Sequence, residues 1–172
     1  MNEILKNILE RRSIRQFNDR SVNEDDLKLI LKAAIYAPSG MNRQTWQFTA
    51  LTSRKKIQEL ALLIEKKLDR EGYDFYNPAC IIISSNDRES RWGTEDNACA
   101  MENMFLAARS LGIGSVWTNQ LRLVCDDEDV RTLLRSWGIP DNHVVYGTAA
   151  IGYAESEQSL IEEKRGVIKI IK

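Results

Sequence analysis

A helical segment in the middle of this chain constrains its fold more than any other feature of the sequence. Between about Glu95 and Leu111 most positions are apolar or small, so the predicted helix has little polar face. Such a helix must be buried nearly all round. In a chain of 172 residues, that burial requires either a central position in the domain or a second subunit packed against the helix.

Patterns of apolar residues predict the elements that surround this helix. Further helices are predicted over residues 2–12, from Asn23 to about Ile35, from the cap Ser53 to near Gly72, and from Asp126 or Asp127 to Trp137. Strands are predicted at Trp46–Leu51, Ala79–Ser84, Ser115–Leu121 and His143–Tyr153. A polar linker, Glu155–Lys164, leads to a tail, Gly166–Ile171, that could pair as an edge strand. The elements lack a regular βαβ rhythm, which indicates one α+β or mixed α/β domain over residues 1–172.

The composition argues against several classes of function. A net charge of −1 disfavours nucleic acid as the main partner, since neutralising phosphates requires surplus Lys and Arg. No apolar run approaches the ~18 residues that span a bilayer. The N-terminus lacks the apolar core of a signal peptide, so a cytoplasmic location is the default expectation.

Few side chains in this sequence suit catalysis on their own. The three cysteines are far apart and form no CxxC pair, which disfavours zinc ribbons and iron–sulfur clusters. The single histidine, His143, has no Cys or Asp partner at motif spacing and is interpreted as structural. A bound cofactor is therefore expected to carry the chemistry, and no metal site is predicted.

The first candidate binding segment is RRSIRQF, residues 11–17. Arg11, Ser13 and Arg15 alternate, so an extended backbone would direct all three side chains to one side. The planar guanidinium group binds phosphate through two hydrogen bonds, and serine adds a hydroxyl. The alternative is a solvated helix end with cations at its negative pole.

The second candidate segment is APSGMNRQTW, residues 37–46. Pro38, Ser39 and Gly40 predict a tight turn in which backbone N–H groups can approach a ligand closely. Asn42 and Gln44 offer donors and acceptors that suit the edge of a heteroaromatic ring. The alternative is an ordinary connection between a helix and a strand.

Three sequence blocks in this order, RRSIRQF, APSGMNRQTWQF and DNACAMENMFLAARSLGIGSVW, resemble the FMN-dependent nitroreductase family over the whole chain. The resemblance implies a three-layer helix–sheet–helix fold with a mixed, mainly antiparallel sheet. It also implies an intertwined homodimer that binds FMN at the subunit interface. The implied reaction is ping-pong: NADH or NADPH reduces the flavin, which then reduces a nitroaromatic compound, a quinone or a similar acceptor.

The resemblance also implies a set of cofactor-binding residues, and no catalytic side chain, because flavin N5 carries the hydride. The FMN phosphate, ribityl chain or ring edge would be held by Arg11, Arg12, Ser13 and Arg15. Arg15 is expected to stabilise the negative charge of reduced flavin. The partner subunit would supply the loop containing Pro38, Ser39, Gly40, Asn42 and Gln44. A glycine-rich turn beside the ring would contain Gly114 and Ser115, and a late basic position on the phosphate would be Lys164 or Arg165.

Two other readings of the same fold remain open at this point. One is different flavin chemistry, such as dehydrogenation, dehalogenation or flavin supply, and the other is a flavin-binding protein with little turnover. The family is variable in the region of Tyr73–Asn77, where Tyr73, Phe75 and Tyr76 are candidates for the substrate side.

Overall fold

A four-stranded antiparallel sheet organises the computed structural model, which describes residues 1–156 and 164–172. The strands are β1 (Trp46–Leu51), β2 (Cys80–Asp87), β3 (Gly114–Thr118) and β4 (His143–Gly152). The helices are α1 (Glu3–Glu10), α2 (Glu24–Ile35), α3 (Arg54–Leu68), α4 (Gly93–Ser110), α5 (Gln120–Val124) and α6 (Glu128–Ser136). A single 3₁₀ turn, Gly40–Asn42, precedes β1.

The strand order is β1-β2-β4-β3, which places β1 and β3 at opposite edges of the sheet. Three strand spacings separate these edges, a distance of about 14 Å. The segment after α1 runs beside β3 through a parallel bridge between Ser13 and Ser115, followed by an antiparallel bridge between Phe17 and Ala154. The sequence predicts a mixed, mainly antiparallel sheet. Among the described residues, the bridge between Ser13 and Ser115 is its parallel part.

Helices cover both faces of the sheet. On one face α2 and α4 pack against apolar residues that include Ile82, Ala149 and Ile151. On the other face α3, α5 and α6 bury a second cluster that includes Ile81 and Ile83. Neighbouring residues of β2 therefore point into different cores, as the alternation of a strand requires. The predicted three-layer arrangement is confirmed.

Helix α4 is the central helix that its sequence predicts, but one face of it remains uncovered in a single chain. Ala100, Met101 and Met104 are fully buried between the sheet and α2. By contrast, Glu95 and Cys99 are exposed. Burial on all sides of this helix would therefore require a further protein surface.

Three sequence predictions need correction or a limit. The strand predicted to end at Leu121 stops at Thr118, because Leu121 and Val124 are buried in the core beside α3 as part of α5. The tail Gly166–Ile171 forms no strand within the chain, and its apolar residues are exposed. Of the predicted polar linker, residues 157–163 lie outside the described residues.

Candidate functional site

A cleft of about 340 Å³ lies where α4 ends and β3 begins. Three arginines from different parts of the chain line it, together with the backbone at the start of β3. The lining residues are Glu10, Arg11, Arg12, Ile14, Arg109, Gly112, Ile113, Gly114, Ser115 and Ala154. Four of the residues predicted from the sequence, Arg11, Arg12, Gly114 and Ser115, are thus brought together here.

Two ion pairs fix the positions of two of the three cleft arginines by connecting the end of α1 to α4. Arg11 Nε donates a hydrogen bond of 3.1 Å to Glu102 Oε1, and the Arg109 guanidinium pairs with the Glu10 carboxylate. Sequence reasoning missed Glu10, Glu102 and Arg109. The available signal for Glu102 and Arg109 was their charge on a helix, α4, that is otherwise rich in apolar and small residues.

Two guanidinium nitrogens in this cleft have no hydrogen-bond partner among the described residues. Arg12 Nη2 and Arg109 Nε are both buried. Arg12 uses its other terminal nitrogen for the carbonyl oxygens of Leu9 and Arg11, at 3.3 and 2.6 Å. A buried unpaired donor costs about 1–3 kcal/mol, so an anionic ligand that accepts these hydrogen bonds would remove a real penalty.

The start of β3 lies in close contact with the arginine segment. The Ile14 N–H donates to the Ser115 carbonyl oxygen at 3.0 Å. A Cβ on Gly114 would stand 2.8 Å from Ile14 Cγ1, so only glycine permits this approach. Ile14 is buried, whereas Ser13 and Arg15 are exposed on the open side of the segment, which is the alternation predicted for an extended backbone.

The second candidate segment forms a strained loop at the other end of α4. Its three left-handed, non-glycine residues are Met41, Asn42 and Gln44, with φ of 52°, 55° and 51°. Gln44 Nε2 donates to Asn42 Oδ1 at 2.6 Å, and the Gln44 N–H donates to Ser39 Oγ at 3.3 Å. Pro38, Asn42 and Gln44 are exposed. Left-handed backbone in bulky residues is a cost that proteins concentrate at functional sites.

Two residues of the α4 region hold this loop in place. The Gly40 N–H donates to the buried Asp96 Oδ1 at 2.8 Å. The Trp92 ring packs directly on Gly40, where a Cβ would stand only 2.4 Å from Trp92 Cδ2. Gly40 is therefore required for close packing against an aromatic ring, a role that the turn motif alone does not reveal.

The cleft and the loop do not meet within one chain. Asp96 and Arg109 are thirteen residues apart in α4, which corresponds to about 20 Å along a helix. The loop leads into β1, whereas the cleft lies at β3, the opposite edge of the sheet. Lys164 and Arg165 are exposed and do not line the cleft.

The candidates for the substrate side have different environments. Phe75 is fully buried in the core between α3 and the sheet, so it cannot contact a substrate at the surface. Burial raises the pKa of the Tyr73 phenol, which therefore stays neutral. Tyr76 packs against the apolar cluster that contains Ile14, a residue lining the cleft, and is the candidate nearest to it in the packing.

Comparisons with known proteins agree with this architecture. The model of the nitroreductase family matches residues 8–153. The chain belongs to the nitroreductase family. A nitroreductase from Bacteroides fragilis NCTC 9343, solved with bound FMN, is 41% identical, with a TM-score of 0.95 and full coverage of both chains. An FMN-bound nitroreductase from Desulfitobacterium hafniense DCB-2 is 26% identical, with a TM-score of 0.87 and full coverage of both chains.

A curated archaeal relative extends the nitroreductase match in sequence. The protein of Archaeoglobus fulgidus, named as a candidate NADH dehydrogenase/NAD(P)H nitroreductase, is 34% identical over 171 residues, covering 94% of this chain and 91% of the relative. Within the described part of this nitroreductase, no helix is long and apolar enough to cross a membrane, and no group of three or more His, Cys, Asp or Glu could hold a metal ion.

Proposed function

We propose that this chain is an FMN-dependent oxidoreductase. It takes electrons from NADH or NADPH and passes them, by a ping-pong reaction, to nitroaromatic compounds, quinones or similar small acceptors. The observation that carries the proposal is the arginine cleft at β3, in which Arg12 Nη2 and Arg109 Nε are buried without partners in the described chain. The bound FMN of the relatives from Bacteroides fragilis and Desulfitobacterium hafniense supports the same ligand.

The chemistry of the cleft suits a phosphate monoester. Arg12 and Arg109 would donate to its oxygens, and Arg11, held by Glu102, adds a third positive charge. Hydrogen bonds from guanidinium groups to phosphate are about twice as strong as those between neutral groups. The three arginines would thus bind the FMN phosphate, and Ser13 would bind the adjoining ribityl chain.

The remaining proposed contacts concern the flavin ring. FMN, when bound, supplies the atom that accepts and returns a hydride, while the protein binds and orients it. Arg15, exposed on the open side of its segment, would place positive charge near the ring and favour the reduced anion. Gly114 and Ser115 would leave room beside the ring. Asn42 and Gln44, with donors and acceptors, would bind its polar edge.

The separation of the loop from the cleft favours a site shared by two subunits. The loop and the cleft lie at opposite edges of one sheet, so a complete site would combine the cleft of one subunit with the loop of its partner. In a two-fold symmetric dimer this exchange produces two identical sites. We therefore infer a homodimer with FMN at its interface.

Exposed apolar surface supports an intertwined dimer. Helix α1 has no buried residue, although Ile4 and Leu9 are apolar and 72% and 57% exposed. In the tail, Val167, Ile168, Ile170 and Ile171 are 82–94% exposed. An apolar groove of about 350 Å³ lies beside β1, whose outer edge pairs with no other described strand. It is lined by Leu31, Ile35, Gln44, Trp46 and Phe48. We infer that the partner's tail covers this edge, since apolar surface of this extent is unfavourable in water.

The absorption spectrum of the purified protein tests the proposal. We expect flavin bands that bleach anaerobically with NADH or NADPH and return when a quinone is added. Flavin bands that no nicotinamide donor bleaches would indicate a binding protein or different flavin chemistry. A colourless protein that takes up no added FMN would contradict the proposal entirely.

A further inference from the structure

Three arginines lie against two aromatic rings at the N-terminal end of α4. The guanidinium carbons of Arg43 and Arg91 are 5.6 and 6.0 Å from the centre of the Trp92 ring. That of Arg122 is 5.6 Å from the centre of the Tyr146 ring. Trp92 directly precedes Gly93, where a Cβ would stand 2.4 Å from Tyr146 Oη. We call this group the arginine–aromatic surface: Arg43, Arg91, Trp92, Arg122 and Tyr146.

The charges of this surface are not neutralised within the described chain. Arg43, Arg91 and Arg122 are exposed, and none of them forms an ion pair with a described residue. By contrast, the neighbouring Arg88 is held by Asp126 at 2.7 Å. Glu95 is a carboxylate near Tyr146, and it pairs with none of the three arginines. Uncommitted guanidinium groups bind phosphate. Trp92 and Tyr146 beside them are partly exposed, and a planar base can stack on exposed aromatic surface.

The position of the surface connects it to the proposed flavin site. Trp92 packs on Gly40. A Cβ added to this glycine would lie 2.4–2.7 Å from atoms of the indole ring. Gly40 belongs to the loop that, under the proposed function, contacts the flavin of the partner subunit. A ligand on the arginine–aromatic surface would therefore lie next to the loop that contacts that flavin.

We propose that the arginine–aromatic surface binds the adenosine-phosphate end of NADPH. This inference rests on the proposed function and names the donor for the same site. The adenine ring stacks on Trp92 or Tyr146, and the phosphates pair with the guanidinium groups. Because the 2′-phosphate adds negative charge that three unpaired arginines can neutralise, NADPH is preferred to NADH.

A comparison of three donors separates this surface from the hydride-transfer site. Reduced nicotinamide mononucleotide contains the reacting ring but lacks the adenosine-phosphate end. In Arg91→Gln and Arg122→Gln, we expect the KM for NADPH to rise about tenfold, the KM for NADH to rise less, and the KM for the mononucleotide to stay unchanged. The matched control is Arg135→Gln, which removes one exposed charge at a site paired with Asp141.

Binding without turnover gives an independent test. Calorimetry with 2′,5′-adenosine bisphosphate and the FMN-loaded protein should show binding that weakens about tenfold in Arg91→Gln and is unchanged in Arg135→Gln. Absence of binding to the wild-type protein, or equal weakening in the control, would overturn the inference.

The kinetic outcomes also distinguish the two proposals. An equal KM rise for all three donors, or none for NADPH, would overturn the donor site while leaving the oxidoreductase intact. Free FMN can also be supplied as the electron acceptor. If only its KM rises in the arginine variants, the surface binds the acceptor, which would overturn our assignment. Failure of the wild-type protein to oxidise any donor would contradict the proposed function itself.

Discussion

The two edges of the sheet carry two different kinds of surface. At β3 the surface is a cationic cleft, in which Arg109 and Arg11 are held by ion pairs with Glu10 and Glu102. At β1 it is a strained, polar loop next to an apolar groove. One edge suits a phosphate, and the other suits a planar ring and a second protein chain. Under the proposed function, each edge would supply half of a site that one chain cannot complete by itself.

Deleting residues 166–172 should have the largest effect, because it removes the apolar tail that we infer covers the partner's β1 edge. We expect a monomer on analytical ultracentrifugation and loss of bound FMN. Lys169→Ala, which changes a polar residue within the same tail, is the control and should remain dimeric. A dimer of wild-type affinity after the deletion would contradict the role of the tail.

The cleft is tested by Arg12→Ala combined with Arg109→Ala. Because each arginine would donate a charge-assisted hydrogen bond to the phosphate, the Kd for FMN should rise roughly a hundredfold or more. Riboflavin, which lacks the phosphate, should bind the wild-type protein and the variant equally, as measured by fluorescence quenching. Equal losses for FMN and riboflavin would show that the arginines act on protein structure instead.

The loop is tested by Gly40→Leu. A side chain here would overlap the Trp92 ring, and overpacking of this kind costs about 1–3 kcal/mol. We expect the Kd for FMN and the Kd for riboflavin both to rise about tenfold, because the loop would contact the ring and not the phosphate. Lys55→Leu, which places the same side chain at an exposed position of α3, is the control. Selective loss of FMN alone would contradict the division of roles between the two edges.

The smallest effect concerns His143, which lies far from both half-sites in sequence and accepts or donates a 3.2 Å hydrogen bond with Ser85 Oγ. Burial lowers its pKa from the ordinary value of 6.5, opposed by Asp87 and assisted by Arg131. Just below pH 6.5 the unfolded chain therefore binds more protons than the folded protein. The contribution of His143 to the free energy of unfolding is fully present above that pH and is lost as the pH decreases.

The expected measurement is a decrease of a few degrees in Tm between pH 7 and pH 5.5 in the wild-type protein. His143→Gln should flatten this dependence, because glutamine does not titrate. The pKa of the Asp126 carboxyl is lowered mainly by its hydrogen bond with Arg88. This group therefore titrates only at more acidic pH and cannot cause the decrease in Tm between pH 7 and pH 5.5. An unchanged slope in His143→Gln would assign the titration to another group.

Local patterns in the sequence predicted most of the fold. The strand Trp46–Leu51 has its predicted bounds. The helix predicted to be capped by Ser53 begins at Arg54 as expected, but it ends at Leu68, before the predicted end near Gly72. Helix α5 was missed because five residues carry too little periodicity to be recognised, and its stability depends on packing against α3. Its existence is therefore a tertiary effect.

Local patterns predicted less of the candidate site. The segments around Arg11 and Gly40 were found because arginine repeats and Pro-Ser-Gly turns have a direct chemical meaning. The ion pair between Arg109 and Glu10 joins residues 99 positions apart, and no spacing rule predicts it. Likewise, the placement of the two segments at opposite edges follows from the strand order, which depends on the whole chain.

A subunit-complementation measurement tests the shared site most directly. The cleft variant, Arg12→Ala with Arg109→Ala, and the loop variant, Gly40→Leu, would be co-expressed with different affinity tags, and the heterodimer purified through both. Because one of its two sites combines the intact cleft of one subunit with the intact loop of the other, we predict about half of the FMN content of the wild-type dimer. A heterodimer with as little FMN as either homodimeric variant would show that cleft and loop act within one chain, and would contradict the account.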